Sequence, residues 1–174
     1  MLKRGENARA PRPPRSTAFL LAQVGAHAAM RFGERLRELD LAPAHAGILR
    51  AVAASAGISQ QALAALLRMM PSRLVTLLDE LEGRGLLERR DNEEDRRLYA
   101  LHLTEAGTKT MSEIGRIARA HDDALCASLG EAEREQLSAL LTRIADQEQL
   151  TAGVHPGFAR LGDGARSKSD KAGK

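Results

Sequence analysis

The chain has 174 residues, 43% of them apolar, with only 2% aromatic and no Trp. That fits one domain with extensions and a core of Leu, Ala, Ile, Val and Met, which favours packed helices. The formal net charge of +3 sits at the ends: residues 1–15 hold five basic side chains against one acidic, residues 157–174 five against two, and residues 16–156 sixteen against twenty. Bulk basicity of the body is therefore excluded as a means of holding nucleic acid, and local charge arrangement would have to do it. No apolar run approaches the roughly 20 residues of a membrane span, and no signal segment opens the chain. One Cys excludes an internal disulfide and fits a reducing cytoplasm, the expected location.

Residues 1–15 contain "APRPPR", a composition that builds no core, and read as a disordered basic arm. Ser16 or Thr17 can cap a first helix running to about Leu39. Pro43 suits the first turn of a second helix, which carries Ile48, Leu49 and Val52 at helical spacing and ends before Gly57. Ser59 caps a short third helix in "SQQALAALL". A fourth begins near Pro71 and ends at Gly83–Gly85, with Leu74, Leu77, Leu78 and Leu81 on one face.

After Gly85 the period changes. "LLERR" and "RLYALHL" alternate as strands do, placing Leu98, Ala100 and His102 on one side and Tyr99, Leu101 and Leu103 on the other. Nine of the ten residues from Glu88 to Arg97 are charged. The spacing predicts a two-stranded hairpin over Leu86–Leu103 that holds a charged loop in solvent. Thr104 then caps a long helix to about Leu129, striped by Met111, Ile114, Ala118, Leu125 and Leu129. A last helix over about 131–150 carries Leu137, Leu140, Leu141 and Ile144. Residues 151–174 read as a flexible tail, rich in Gly, Ser and Lys toward its end.

Helices followed by a hairpin are the order of a winged helix-turn-helix lobe, whose second close-packed helix enters the major groove. The fourth helix is expected to bury its leucines and to present Ser72, Arg73, Val75 and Thr76 near its N-terminus. The hairpin tip offers Arg96 and Arg97, suited to a narrow, electronegative minor groove. Asp95 among them can orient a neighbouring arginine through a bidentate pair. Arg84, Arg89 and Arg90 read as surface or phosphate-positioning residues rather than base readers.

"LAPAHAGILRAVA", "SQQALAALL", "PSRLVTLLDELEGRGLLERR" and "DNEEDRRLYALHLTEAG" resemble successive blocks of the MarR family of bacterial transcription regulators. The resemblance runs from about Thr17 to Leu150, and "RGLLERR…EDRRLYALHLTEAG" is its most specific part. It implies a mainly α fold with a β-hairpin wing. Residues 16–42 would form an N-terminal dimerisation helix, 43–103 the winged DNA-binding lobe, and 104–150 the C-terminal dimerisation helices. It also implies a homodimer on palindromic double-stranded DNA, with Asp95 and Arg97 in the wing and 71–84 as recognition helix. A small aromatic or lipophilic effector would bind between the dimerisation helices and the lobe. The chain departs from the family at Arg68, where Gly is common, and at Met70, where a small polar N-cap is usual.

For the effector, His27, Met30, Arg31, His45 and Met111 are the candidate lining residues, with dimer packing as the competing role for His27 and Arg31. Cys126 on the long helix reads as a small apolar side chain rather than a sensor. The five histidines show no H-x-x-x-H spacing and none neighbours the Cys, so no metal site is expected. No catalytic constellation occurs and no cofactor is implied, so an enzyme is not expected. The competing class is a winged-helix module for protein–protein contact without specific DNA binding, which the acidic body keeps open.

Overall fold

The computed structural model describes residues 16–91, 99–155 and 157; residues 1–15, 92–98, 156 and 158–174 lie outside the described residues. Helix α1 (Thr17–Leu36) begins at Ser16, whose Oγ accepts the amide of Phe19 at 3.1 Å. It ends earlier than Leu39, because the chain tightens into a 3-10 turn at Arg37–Leu39. Asp40 follows in the left-handed region, φ 59°. Pro43 opens α2 (Pro43–Ala54), where its missing N–H leaves no bond unmade.

Strand β1 (Ile58–Ser59) comes next, and then α3 (Gln60–Leu67), where Ser59 Oγ accepts from Ala62 N at 3.2 Å. Helix α4 (Pro71–Gly83) has Met70 as its N-cap, with no side-chain hydrogen bond. Strands β2 (Leu87–Asp91) and β3 (Tyr99–Leu103) pair antiparallel, Leu87 opposite Leu103 and Asp91 opposite Tyr99.

The sheet is three-stranded, in the order β1-β3-β2, rather than a two-stranded hairpin. Two residues are too few to show alternation, and β1 exists because Ile58 and Ser59 lie against Leu101 and Ala100. Gly57, φ +84°, turns the chain into this pairing and donates its N–H to Leu101 O at 2.9 Å.

Helix α5 (Glu105–Leu125) starts under Thr104, whose Oγ1 accepts from Gly107 N at 3.0 Å and donates to Gly85 O at 2.6 Å. A Cβ on Gly107 would collide with the Leu86 carbonyl, so α5 can approach the base of the hairpin only with glycine there. Cys126 ends α5 short of Leu129, and α6 (Glu131–Gln147) stops short of residue 150.

The core gathers Leu36, Ile48, Leu49, Val52, Leu63, Leu67, Leu74, Leu78, Leu81, Leu87 and Leu101, with Ile114 and Ile117 reaching in from α5. The α4 stripe forms as expected, Leu77 being only partly buried. Along α5 the expected stripe omitted Ile117, which is buried, and included Leu125, which is exposed. In the central strand β3, consecutive Ala100 and Leu101 are both buried, so strict alternation fails there.

The outer helices are different. No residue of α6 is buried, and Leu137, Leu140, Leu141 and Ile144 remain 39–46% exposed. Phe19, Leu20, Leu21 and Val24 on the first half of α1 are exposed too. Apolar rows left exposed on a helix in this way mark a candidate interaction face.

Candidate nucleic-acid interface and ligand cavity

Helix α4 is oriented by its own leucines. Leu74, Leu78 and Leu81 point into the core, so the opposite side of the helix faces solvent. Ser72, Val75 and Thr76 are exposed on that side near the N-terminus, and Met70 is 70% exposed just ahead of them. Arg73 sits beside them, half-buried and engaged within the chain. Arg68 ends α3 at φ 49° and ψ 40°. This left-handed residue makes the sharp turn into α4, at the position where the family resemblance places Gly.

Three of the arginines expected on phosphates have partners inside the chain. Arg84 Nη1 and Nη2 donate to the carbonyls of Asp40 and Leu39 at 2.6 and 2.9 Å. Arg89 joins β2 to α4: its Nη2 lies 2.6 Å from Asp79 Oδ1, its Nη1 meets Glu82, and its side chain is only 16% exposed. Arg90 donates from Nε to Glu88 Oε1 at 2.9 Å but stays exposed. The geometry therefore gives Arg84 and Arg89 structural roles, because nearby carbonyls and carboxylates take up their donors. Asp95, Arg96 and Arg97 lie outside the described residues.

The expected ligand residues do not gather. A cavity of about 420 Å³ opens between α1, α2, α5 and the segment after α6, lined by Ala29, Phe32, Pro43, Ala46, Gly47, Arg50, Ile114, Ala118, Gly153, Val154 and His155. None of His27, Met30, Arg31, His45 or Met111 is among them. On α1 the reason is the helical period: Ala29 and Phe32 share the inward face, whereas His27, Met30 and Arg31 share another and are exposed. Arg31 pairs with Glu34 at 3.0 Å. Met111 packs against the core.

His45 lies apart from the others. It is buried, and its Nδ1 accepts the Ala42 amide at 3.1 Å. Its proton is thereby directed to Nε2, which lies 2.9 Å from Glu80 Oε2. The residue bridges the start of α2 to α4 and is not among the residues that line the cavity. A sequence signal for this was available, since His45 stands three residues past the Ala42 N-cap, where a side chain can reach back.

His27, Arg31 and Arg35 of α1 lie near enough to His121 of α5 to act on it electrostatically. Burial, and then the charge of Arg35, push the His121 pKa below its ordinary value, against the opposing pull of Asp122. The His121 ring also packs on Phe32, with centroids 5.5 Å apart. Among the described residues, no group of His, Cys, Asp or Glu side chains could hold a metal ion, and no helix is long and apolar enough to cross a membrane.

Four packed helices, a left-handed turn into α4 and a hairpin beside it define a winged helix-turn-helix protein. Residues 39–98 match the MarR family. Over 105 residues the chain is 35% identical to a transcriptional regulatory protein for the hcr operon of Thauera aromatica, covering 60% of this chain and 63% of that protein's length. Its structure is similar to the transcriptional repressor CouR bound to a 23-mer DNA duplex, with TM-score 0.67 and 30% identity over 75% of this chain and 92% of that one. Wild-type apo MarR from E. coli shares the fold at TM-score 0.70, with 23% identity over 76% of this chain and 98% of that one. The chain belongs to the MarR family.

Proposed function

We propose that the protein is a homodimeric transcription regulator, a repressor working in the cytoplasm, that binds palindromic double-stranded DNA and is released by a small aromatic or lipophilic effector. The observation that carries this reading is the outward N-terminal face of α4. Ser72, Val75 and Thr76 are exposed there because the leucines behind them fix the helix, and the hairpin stands beside it. Such a face fits the major groove. CouR, a repressor bound to DNA, shares this fold at 30% identity. Arg73 would read a base edge, most simply guanine O6 and N7.

The uncovered apolar faces of α1 and α6 support the homodimer, and closure of those faces against a second copy would set two α4 helices on one duplex. Successive major grooves on one face lie ~34 Å apart. The cavity between α1, α2 and α5 supports the effector. It adjoins both the helices of the proposed dimer body and the lobe, so an occupant can favour a spacing that DNA does not accept.

The test is a titration of fluorescent duplex from the DNA upstream of the protein's own coding sequence, against random duplex, at several salt concentrations. Expected are a steep loss of affinity with salt and a preference of about 10³-fold or more for the cognate duplex. Binding that is blind to sequence would refute the reading and leave a protein-contact module.

A further inference from the structure

We infer that Arg84 and the His45–Glu80 pair form a two-point latch that fixes α4 to the junction between α1 and α2, and so sets the distance at which two copies of α4 meet DNA. The inference rests on the regulator reading above and names its transmitting element. The junction is the weak point between the proposed dimer body and the lobe. Within six residues the chain leaves α1, passes a 3-10 turn, enters the left-handed region at Asp40 and begins α2. Carbonyls at a helix end have no partner along the helix. Here the two at Leu39 and Asp40 end on one guanidinium, that of Arg84, immediately after α4.

The next free donor, the Ala42 amide, ends on His45, and His45 passes the connection to Glu80. Glu80 and Arg84 stand one turn apart, and the Arg84 amide itself donates to the Glu80 carbonyl at 3.2 Å. Three backbone groups of the junction thus terminate, directly or through one imidazole, on one turn of the recognition helix. The guanidinium is suited to this because its planar fork holds two acceptors in fixed directions, which an ammonium does not. Without the latch the junction would bend and the lobe would sample several spacings. With it, a tilt of α1 is passed on to α4.

The experiment compares Arg84→Met, Arg84→Lys and Glu80→Gln with wild type on two duplexes: the cognate operator, and the same operator with one base pair inserted between half-sites. In parallel, a spin label at Ala65→Cys in a Cys126→Ser background reports the distance distribution between lobes of the free dimer. Ala65 is exposed on α3 and lies outside both the latch and the outward face of α4.

If the binding-competent spacing falls to about a tenth of the population, apparent affinity for the cognate operator falls about tenfold in Arg84→Met. Affinity for the lengthened operator should fall much less, so the spacing preference collapses, and the distance distribution should widen. Arg84→Lys should behave like Arg84→Met, because the fork is lost though the charge remains. Glu80→Gln should show the same trend more weakly.

A phosphate-contact role predicts otherwise: Arg84→Lys retains binding, and Arg84→Met weakens both duplexes equally and reduces the salt slope by about one. That result would overturn the latch. So would unchanged spacing preference and an unchanged distance distribution in all three variants, whatever the melting temperatures do. The label separates the two readings: widening in a protein that ignores DNA sequence would sustain the latch and remove the regulator.

Discussion

Replacing Leu140, Leu141 and Ile144 of α6 together by Ala tests the homodimer where a single chain has least reason to need these residues. Each still shows about two fifths of its surface. Full burial of such a side chain is worth ~1.5–3 kcal/mol, so covering the remainder contributes about 0.6–1.2 kcal/mol per residue. Three residues on each of two protomers give about 4–7 kcal/mol, or a rise of about 10³ to 10⁵ in the dimer dissociation constant. The core of the lobe, from Leu36 to Leu101, contains none of the three. The variant should therefore keep its helical circular dichroism while sedimentation equilibrium at micromolar concentration shows monomer. Wild type should sediment as dimer. A triple variant that remains dimeric in that range, or a wild type that is already monomeric, would show that these faces are covered by something else.

Arg73→Ala should cost ~1–3 kcal/mol in operator affinity and relax sequence preference at one symmetric position per half-site, measured by competition with base-substituted duplexes. Uniform loss on all sequences would make Arg73 a phosphate contact. Arg68→Gly should raise stability by about 0.5 kcal/mol in urea unfolding, because a non-glycine left-handed residue costs ~1–2 kcal/mol while added glycine freedom returns ~0.5–1 kcal/mol of that; loss of stability would contradict the turn described at that residue. His121, with its pKa held below the ordinary 6.5 by burial and by Arg35, binds a proton less readily folded than unfolded. Its contribution is present above pH 6.5 and is lost as pH falls through the folded value, so stability against pH over that range should be flatter in His121→Gln. Deleting residues 1–15, which carry five basic side chains against one acidic, should weaken operator binding and make its salt dependence shallower.

Much of the fold is legible because it depends on local periods. The leucines of α4 repeat at helical spacing, Ser16, Ser59 and Thr104 each cap a helix, and Pro43 opens one. What was not legible is what depends on distant partners. Strand β1 is two residues long and is defined by β3, some forty residues later. Gly107 looks like any helix glycine until the Leu86 carbonyl is placed against it. The cavity beside α1 is missed for a third reason: its lining comes from α1, α2, α5 and the segment after α6, mostly in residues such as Ala29, Ala46, Gly47 and Ala118 that announce nothing by themselves.

The arginines carry the same argument into function. Arg84, Arg89 and Arg90 stand close together in the chain and have the same chemistry. Yet Arg84 meets carbonyls 44 and 45 residues away, Arg89 meets carboxylates seven and ten residues away, and Arg90 meets a neighbour two residues off. A guanidinium whose donors are already directed at fixed acceptors must break those bonds before it can bind a phosphate, and the acceptor left behind then needs water. The cost is least for Arg90, exposed on a single flexible Glu88. It is greatest for Arg89, nearly buried between two acids. Of the three, Arg90 is therefore the one free enough to follow a DNA backbone, while Arg84 and Arg89 hold α4 and β2 at the angles from which, on the proposed reading, other residues would reach the grooves.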